Sequence, residues 1–221
     1  MPKKSKPATR NILLSSQVLP YLLPPQSARF SIYSTTGSGK SRLADEIMKI
    51  YRRKTGLPAI LIDPDPTPKT QRGIRCRSIQ QVQDLTEKNR TAVAVIGDSY
   101  HLAINVLRHI WHNAAAGALV VIDEADLFIP TAEPNQEILS LLKRGRRRNI
   151  SVGILSQYPT SIHKIARNLI NIQIIGNATG RAFQRFAKDT FNIDPVEIPP
   201  YSFTMFNPYN KTARMMDIPK S

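Results

Sequence analysis

A glycine-containing loop, flanked by a strand-like run and a helical run, constrains the fold of this chain more than any other segment. Residues 28–33 are apolar enough for a buried strand, residues 42–51 have helical periodicity, and the loop between them ends in Gly-Lys-Ser. Strand, glycine-bearing loop, Gly-Lys-Ser and helix, in that order, form a phosphate-binding loop. We therefore predict that a nucleoside triphosphate, ATP, binds to Ser34, Thr35, Thr36, Gly37, Ser38, Gly39, Lys40 and Ser41.

The residue types of this loop match what a triphosphate requires. Gly37 and Gly39 lack a Cβ, so backbone N–H groups can turn inward toward the phosphates. Lys40 supplies a positive charge on a flexible stem for the β- and γ-phosphates. The Ser41 hydroxyl is expected to ligate Mg²⁺ at the helix N-terminus. The loop departs from the usual motif at one position, because Ser34 stands where the first glycine is expected.

The charge balance of the chain predicts a polyanionic partner. Its 221 residues include 31 Lys and Arg against 16 Asp and Glu, which gives a net charge of +15. Such an excess favours nucleic acid. An anionic membrane surface is the alternative, but no strongly amphipathic basic helix accompanies the basic clusters. The candidate DNA contacts are Arg72, Arg75, Arg77, Arg147 and Arg148.

The composition also excludes several classes of protein. Cys76 is the only cysteine, which rules out an intrachain disulfide and a cysteine-based zinc site. The longest apolar stretch, residues 114–122, is too short to cross a bilayer. Residues 11–23 are interrupted by polar side chains and by Pro20, so they do not form a typical signal peptide. We therefore expect a soluble, intracellular protein without a transmembrane segment.

Short apolar runs alternate with helical patterns from residue 28 onward, which is typical of a parallel sheet covered by helices. This α/β domain is predicted to span residues 28–221. A basic, proline-rich arm at residues 1–27 is predicted to pack either on the same domain or on a neighbouring subunit. The predicted strands are residues 28–33, 59–62, 92–96, 118–122, 151–155 and 172–175. Residues 201–207 and 212–218 are predicted to add a C-terminal β-hairpin.

Two acidic residues follow a strongly apolar predicted strand. Asp123 and Glu124 come directly after residues 118–122, so their carboxylates should lie at the carboxyl edge of the sheet, where ligands bind in open α/β folds. We expect Asp123 to hold Mg²⁺ through its water shell and Glu124 to polarise the attacking water. Two acids in this place can also simply cap a loop.

Gln157 stands just after another predicted strand, residues 151–155. Its amide could sense the γ-phosphate, or it could position water together with Glu124. Ordinary solvation of a strand end is the other interpretation, and both stay open on the sequence alone.

Five motifs in one order resemble those of the FtsK/HerA superfamily of DNA-pumping ATPases. They are Thr-Gly-Ser-Gly-Lys-Ser at residues 36–41, Asp63-Pro64, Val-Val-Ile-Asp-Glu-Ala at residues 120–125, Lys-Arg-Gly-Arg at residues 143–146, and Gly-Ile-Leu-Ser-Gln at residues 153–157. The resemblance spans most of the predicted domain. Ser34 departs from it, because the superfamily usually opens its phosphate loop with glycine.

The resemblance implies a RecA-like P-loop core and a homo-oligomeric ring, hexameric or sometimes pentameric, that moves double-stranded DNA through a central pore. It also implies that an arginine of the Lys-Arg-Gly-Arg element acts in trans, in the active site of the neighbouring subunit. By motif position that residue is Arg146, with Arg144 as the main alternative. Lys40, Glu124 and Gln157 would be the other catalytic residues.

A bare core of this length most resembles the genome-packaging ATPases of membrane-containing double-stranded DNA viruses. We therefore predict a DNA-packaging motor in the host cytoplasm or at the packaging vertex of the virion, with capsid-vertex or viral membrane proteins as candidate partners. A conjugation or DNA-processing ATPase of the same superfamily is one alternative. A small P-loop kinase and a nucleotide-gated DNA-binding scaffold are the alternatives from other classes.

Overall fold

The strands of the molecule form one sheet. The computed structural model describes residues 19–23, 26–64, 73–88, 92–95, 100–114, 116–207 and 212–218. Within them the strands are β1 (Arg29–Tyr33), β2 (Ala59–Asp63), β3 (Ile74–Cys76), β4 (Ala92–Val95), β5 (Ala118–Ile122), β6 (Ile150–Ser156), β7 (Ile172–Gly176), β8 (Ser202–Asn207) and β9 (Thr212–Asp217). Their order is β3-β4-β2-β5-β6-β1-β7-β8-β9. Neighbouring strands from β3 to β7 are parallel, and β7-β8 and β8-β9 are antiparallel.

Helices cover both faces of this sheet. They are α1 (Leu19–Leu22), α2 (Lys40–Thr55), α3 (Ile79–Glu87), α4 (Tyr100–Asn113), α5 (Gln136–Arg144), α6 (Lys164–Leu169) and α7 (Arg181–Phe191). Successive strand residues alternate between two apolar clusters: Ile60 and Ile62 pack with α3 to α7, whereas Ala59 and Leu61 pack with α1 and α2. Because both faces of β2 and β5 are buried, these strands are apolar almost throughout.

The parallel strands bring the loops that follow them to one edge of the sheet. Tyr33 at the end of β1 pairs with Ser156 of β6 and with Ile175 of β7. Likewise Ile62 of β2 pairs with Ile122 of β5. The residues that follow these five strands therefore meet at the carboxyl edge of the sheet.

The predicted α/β fold with a C-terminal hairpin is confirmed. Each of the six predicted parallel strands is present, with ends that shift by no more than one residue. The edge strand β3 was not predicted, because three residues are too few to reveal a period. In the hairpin, Ser202 pairs with Asp217, and the turn predicted between the two strands lies outside the described residues.

The described part of the predicted arm packs on its own domain. Leu22 of α1 is fully buried in the cluster that contains α2. The carbonyl of Leu22 accepts a hydrogen bond from the Ser151 hydroxyl at 2.6 Å, and the carbonyl of Tyr21 accepts one from the Ala28 N–H at 2.9 Å. The basic tip, residues 3–10, lies outside the described residues. No helix among those described is both long enough and apolar enough to span a membrane.

Candidate nucleotide-binding site

The loop of residues 34–41 joins β1 to α2 through two left-handed glycines. Gly37 has φ 76° and Gly39 has φ 97°, values that cost a residue with a Cβ about 1–2 kcal/mol. A Cβ on Gly39 would lie 2.8 Å from Cδ1 of Tyr201 and 2.9 Å from Cδ1 of Ile218, whereas one on Gly37 would meet no atom within 4 Å. Glycine is therefore required at position 37 for conformation, and at position 39 for both conformation and space.

Lys40 and Ser41 both contact Asp123, the residue that follows β5. Nζ of Lys40 lies 3.4 Å from Oδ1 of Asp123, and the Ser41 hydroxyl donates to Oδ2 at 3.2 Å. The two charged side chains are almost completely buried, so water and salt screen their attraction only weakly. A carboxylate and a hydroxyl side by side are oxygen ligands of the kind that Mg²⁺ prefers. The predicted metal ligands therefore fit this ion.

Glu124 adopts an uncommon backbone conformation. Its φ of 46° and ψ of 51° lie in the left-handed region, which few residues with a side chain adopt. The Glu124 N–H donates to Oδ1 of Asp123 at 3.0 Å, and this bond helps to hold the turn. Strained residues are concentrated at active sites and ligand clamps.

Gln157 is in direct contact with the phosphate-binding loop. The Thr36 hydroxyl donates to Oε1 of Gln157 at 2.6 Å. The hydroxyl of the preceding residue, Ser156, donates to Oδ1 of Asp126 at 2.6 Å. The turn after β6 is therefore tied both to the loop and to the acidic turn after β5.

Ser34 occupies the place of the usual first glycine without filling the site. Its side chain is fully buried, and its hydroxyl donates to the carbonyl of Asn177 at 3.0 Å. The same hydroxyl lies within hydrogen-bond distance of the Ser38 hydroxyl. A Cβ on Gly176 would lie 2.5 Å from Oγ of Ser34. The loop can therefore carry Ser34 instead of the usual glycine because Gly176, at the end of β7, has no side chain and leaves space for the Ser34 hydroxyl.

Two groups that the sequence motifs did not reveal hold the loop from the side of β7 and β8. The Asn177 carbonyl accepts hydrogen bonds from the Thr35 N–H at 3.0 Å and from the Thr35 hydroxyl at 3.1 Å. The Tyr201 N–H donates to the carbonyl of Ser38 at 3.0 Å. Because Asn177 and Tyr201 take part in these bonds through main-chain groups, no pattern of side chains at those two positions could indicate them.

Most of the residues predicted to bind the nucleotide and Mg²⁺ line one cavity of about 420 Å³. Its wall includes most of the loop together with Asp63, Asp123, Glu124, Gln157 and Tyr201. Asp63 ends β2 and is 5% exposed, so it adds a third carboxylate to the cavity. The structure thus brings together Lys40, Ser41, Asp123, Glu124 and Gln157, as the sequence predicted.

The predicted arginines of the Lys-Arg-Gly-Arg element lie at the other edge of the sheet. They precede β6, whereas Gln157 follows it. β6 has seven residues, and at about 3.3 Å per residue it separates the two edges by about 20 Å. Arg144 and Arg146 are exposed there. An arginine side chain is too short to span this distance, so neither residue contacts the cavity of its own chain.

The candidate DNA contacts are spread over two separate places. Arg147 and Arg148 belong to the exposed run before β6, whereas Arg75 lies in the edge strand β3 and Arg77 follows it. Nη1 of Arg148 donates to the carbonyl of Trp111 at 2.8 Å, and its guanidinium carbon lies 4.9 Å from the centre of the Trp111 ring. Arg148 is therefore held against Trp111 of its own chain, and its contact with DNA stays a prediction. Arg72 lies outside the described residues.

The fold and the loop together define a P-loop NTPase. The chain belongs to the family described as zonular occludens toxin (Zot), whose model matches residues 67–207. This match contains Asp123, Glu124 and Gln157 but begins after the phosphate-binding loop, so the loop and the family assignment are independent observations. Among curated proteins, none matches the sequence.

Solved structures with this fold share little sequence with the chain. The genome-packaging NTPase B204 of Sulfolobus turreted icosahedral virus 2, in complex with AMPPCP, is 14% identical with a TM-score of 0.73, over 89% of this chain and 100% of that one. VirB4 of Thermoanaerobacter pseudethanolicus is 12% identical with a TM-score of 0.65, over 89% and 91%. The pCW3 conjugation coupling protein TcpA is 14% identical with a TM-score of 0.61, over 87% and 60%. These matches confirm the P-loop architecture implied by the resemblance to FtsK/HerA ATPases.

Proposed function

We propose that this chain is an ATP-driven motor that translocates double-stranded DNA and packages a viral genome. The observation that carries the proposal is the convergence of the loop, Asp123, Glu124 and Gln157 on one cavity. Phosphoryl transfer depends mainly on positioning and on neutralising charge. A phosphate cradle, a candidate metal ligand, a candidate base and an amide in contact with the loop are suited to that task.

In the proposed reaction, water attacks the γ-phosphorus of ATP. Glu124 accepts a proton from this water, the bond from the γ-phosphorus to the β–γ bridging oxygen breaks, and ADP is the leaving group. Loop N–H groups and Lys40 neutralise the charge that develops on the phosphate oxygens. Ser41 and Asp123 would hold Mg²⁺, which supplies further neutralisation when it is bound.

Gln157 is proposed to link the state of the nucleotide to movement. Its hydrogen bond with Thr36, at 2.6 Å, connects the loop to the end of β6. The other end of β6 follows the basic run of residues 144–148. One strand therefore connects the proposed sensor with the proposed trans-acting arginine, and a shift at the γ-phosphate can be passed along it.

Arg146 is proposed to complete the site of a neighbouring copy of the chain. Its exposure, and the separation of about 20 Å that β6 imposes, support action in trans because they exclude action in cis. Arg144 is also exposed and remains the alternative. An arginine that serves the next subunit requires a head-to-tail interface between copies, and we propose that these copies close into a ring of six subunits, with five as the alternative.

The net charge of +15 supports DNA as the polymer that is moved. Contacts to phosphates do not depend on base sequence, as is required of a motor that moves DNA of any sequence.

The match to B204 covers that entire chain, which supports genome packaging as the task of the motor. Capsid-vertex or viral membrane proteins are the proposed partners, and the host cytoplasm or the virion vertex is the proposed place of action. The match to TcpA, a conjugation coupling protein, supports a conjugation ATPase as the second candidate. A major capsid protein gene beside the gene for this chain would favour packaging.

The proposal is tested by measuring ATP hydrolysis and DNA movement together. We expect double-stranded DNA to stimulate Mg²⁺-dependent hydrolysis, and ATP to drive displacement of a third strand bound to a duplex. Lys40→Ala should abolish both. Hydrolysis that ignores DNA, with no displacement, would contradict the motor function while leaving the nucleotide site intact. Phosphate transfer to a small acceptor would instead identify a kinase.

A further inference from the structure

Tyr201 is the single aromatic residue among the described residues that line the nucleotide cavity. Its N–H donates to the Ser38 carbonyl at 3.0 Å, and its own carbonyl accepts from the Ile218 N–H at 2.9 Å. These two bonds fix its main chain beside the loop. Its φ of 64° lies in the left-handed region, which is rare for a bulky residue. The surrounding structure therefore imposes this position on Tyr201.

The ring of Tyr201 rests against the phosphate-binding loop. Its Cδ1 and Cε1 atoms lie 2.8 and 3.3 Å from the point that a Cβ on Gly39 would occupy. Only glycine at position 39 allows the ring to come so close. The side chain is half-buried, so the loop and the apolar cluster around Ile218 support part of it while the remainder borders the cavity.

The order of the strands gives the cavity a direction. Glu124 follows β5 and Gln157 follows β6, both on one side of β1, from which the loop emerges. Tyr201 directly precedes β8, on the other side of β1. A nucleotide whose γ-phosphate lies beside Glu124 and Gln157 can extend within this cavity across the loop toward Tyr201, which lines its opposite side.

We propose that Tyr201 is the platform on which the base of the bound nucleotide stacks. The proposal rests on the proposed nucleotide-binding function and adds the subsite for the part of the ligand that the phosphate-binding loop does not recognise. Aromatic side chains bind any base through its π-face, so this subsite contributes affinity with little choice between bases. The hydrogen bond from Tyr201 to Ser38 joins the base platform directly to the phosphate cradle.

The test compares ATP with inorganic tripolyphosphate, which has the phosphates but no base, on the full chain. Tyr201→Ala should weaken ATP binding about ten- to hundredfold, the range expected for loss of one base–aromatic stack. It should leave tripolyphosphate binding unchanged. Tyr201→Phe, which keeps the ring, should bind ATP as the parent does. Lys40→Ala should weaken the binding of both ligands.

Each other outcome has a distinct meaning. If Tyr201→Ala weakens the binding of ATP and tripolyphosphate equally, the ring only supports the loop. If ATP binding is unchanged, the ring does not contact the nucleotide. Either result overturns the proposal. A parent protein that binds neither ligand would overturn the nucleotide function itself. If Tyr201→Ala does not fold, Tyr201→Trp decides, because ATP but not tripolyphosphate should quench the added tryptophan emission. Absence of that difference contradicts stacking.

Discussion

The two edges of the sheet use their charged side chains in opposite ways. At the carboxyl edge, Lys40, Ser41 and Asp123 are bonded to one another inside a single chain. At the amino edge of β6, Arg146 and Arg147 are exposed. Buried and partnered groups are placed to meet a ligand that enters their own cavity, whereas exposed cations are accessible to a second macromolecule. The comparison supports the proposal that the nucleotide site, built within one chain, is completed by an arginine from a neighbouring copy.

The largest effect is expected from Arg146→Ala. An arginine at the γ-phosphate contributes about 10³- to 10⁵-fold to the rate of phosphoryl transfer, so hydrolysis by the pure variant should fall by that factor. Lys40→Ala should be equally inactive. Mixed rings of the two variants should regain part of the activity, since some interfaces then pair an intact Lys40 with an intact Arg146.

Arg147→Ala is the matched control for that experiment, because it removes the neighbouring exposed guanidinium from the same turn. Its hydrolysis rate in the absence of DNA should stay close to that of the parent. If mixing restores nothing in rings that demonstrably exchange subunits, the role in trans is wrong. A loss confined to Arg144→Ala would transfer the role to that residue.

The next largest effect is expected from Glu124→Gln, which keeps the size of the side chain and removes the proton acceptor. General-base catalysis contributes about 10²- to 10⁴-fold, so the hydrolysis rate should fall by that factor while ATP binding, measured by calorimetry, is retained. Glu133→Gln makes the same chemical change on an exposed residue and should have no effect. Hydrolysis by Glu124→Gln at the parental rate would contradict the assignment.

Two glycine substitutions test how closely the residues at the carboxyl edge are packed. Gly37→Ala should lower the free energy of unfolding by about 1–2 kcal/mol, because only the left-handed conformation opposes it. Gly39→Ala should lower it further and also weaken ATP binding, since the added Cβ collides with Tyr201 and Ile218. Urea unfolding of both variants measures the difference. Equal free energies of unfolding would show that Tyr201 and Ile218 can move aside to accommodate the added methyl group.

The smallest effects are expected within the basic run itself. If Arg147 contacts DNA, Arg147→Ala should reduce the slope of log affinity against log salt by about one. Arg148→Ala should instead lower the free energy of unfolding by about 1 kcal/mol, because its guanidinium packs on Trp111. Fluorescence anisotropy with labelled duplex at several salt concentrations, together with urea unfolding, separates the two roles. If Arg148→Ala reduces the salt dependence of DNA binding and Arg147→Ala does not, then Arg148, and not Arg147, contacts DNA.

Most of the fold and the candidate site at the carboxyl edge could be predicted because their signals are local. A glycine-bearing loop after an apolar run, and the acids Asp123 and Glu124 after another, each carry their meaning within a few residues. The parallel strands then bring these segments together, since the carboxyl ends of parallel strands share an edge. The family model and the solved structures agree with that fold.

What the sequence could not indicate depends on contacts between distant segments. In the sequence Ser34 is only a departure from the motif, whereas the structure shows that Gly176 leaves space for its side chain. Asn177 and Tyr201 hold the loop through main-chain groups, which any residue type offers. Whether Gln157 was merely solvated could not be decided either, because its bond to Thr36 joins residues 121 positions apart.

The bonds from Thr35 to Asn177 and from Tyr201 to Ser38 also determine when, during synthesis of the chain, the site can form. Thr35 and Asn177 are 142 positions apart, and a ribosome adding about 5–20 residues per second needs roughly seven to thirty seconds to cover that distance. During this interval the nascent chain carries the loop without the groups that hold it. The proposed ATP site is therefore complete only after Tyr201 has been added, and a nucleotide that binds there would stabilise the finished domain selectively.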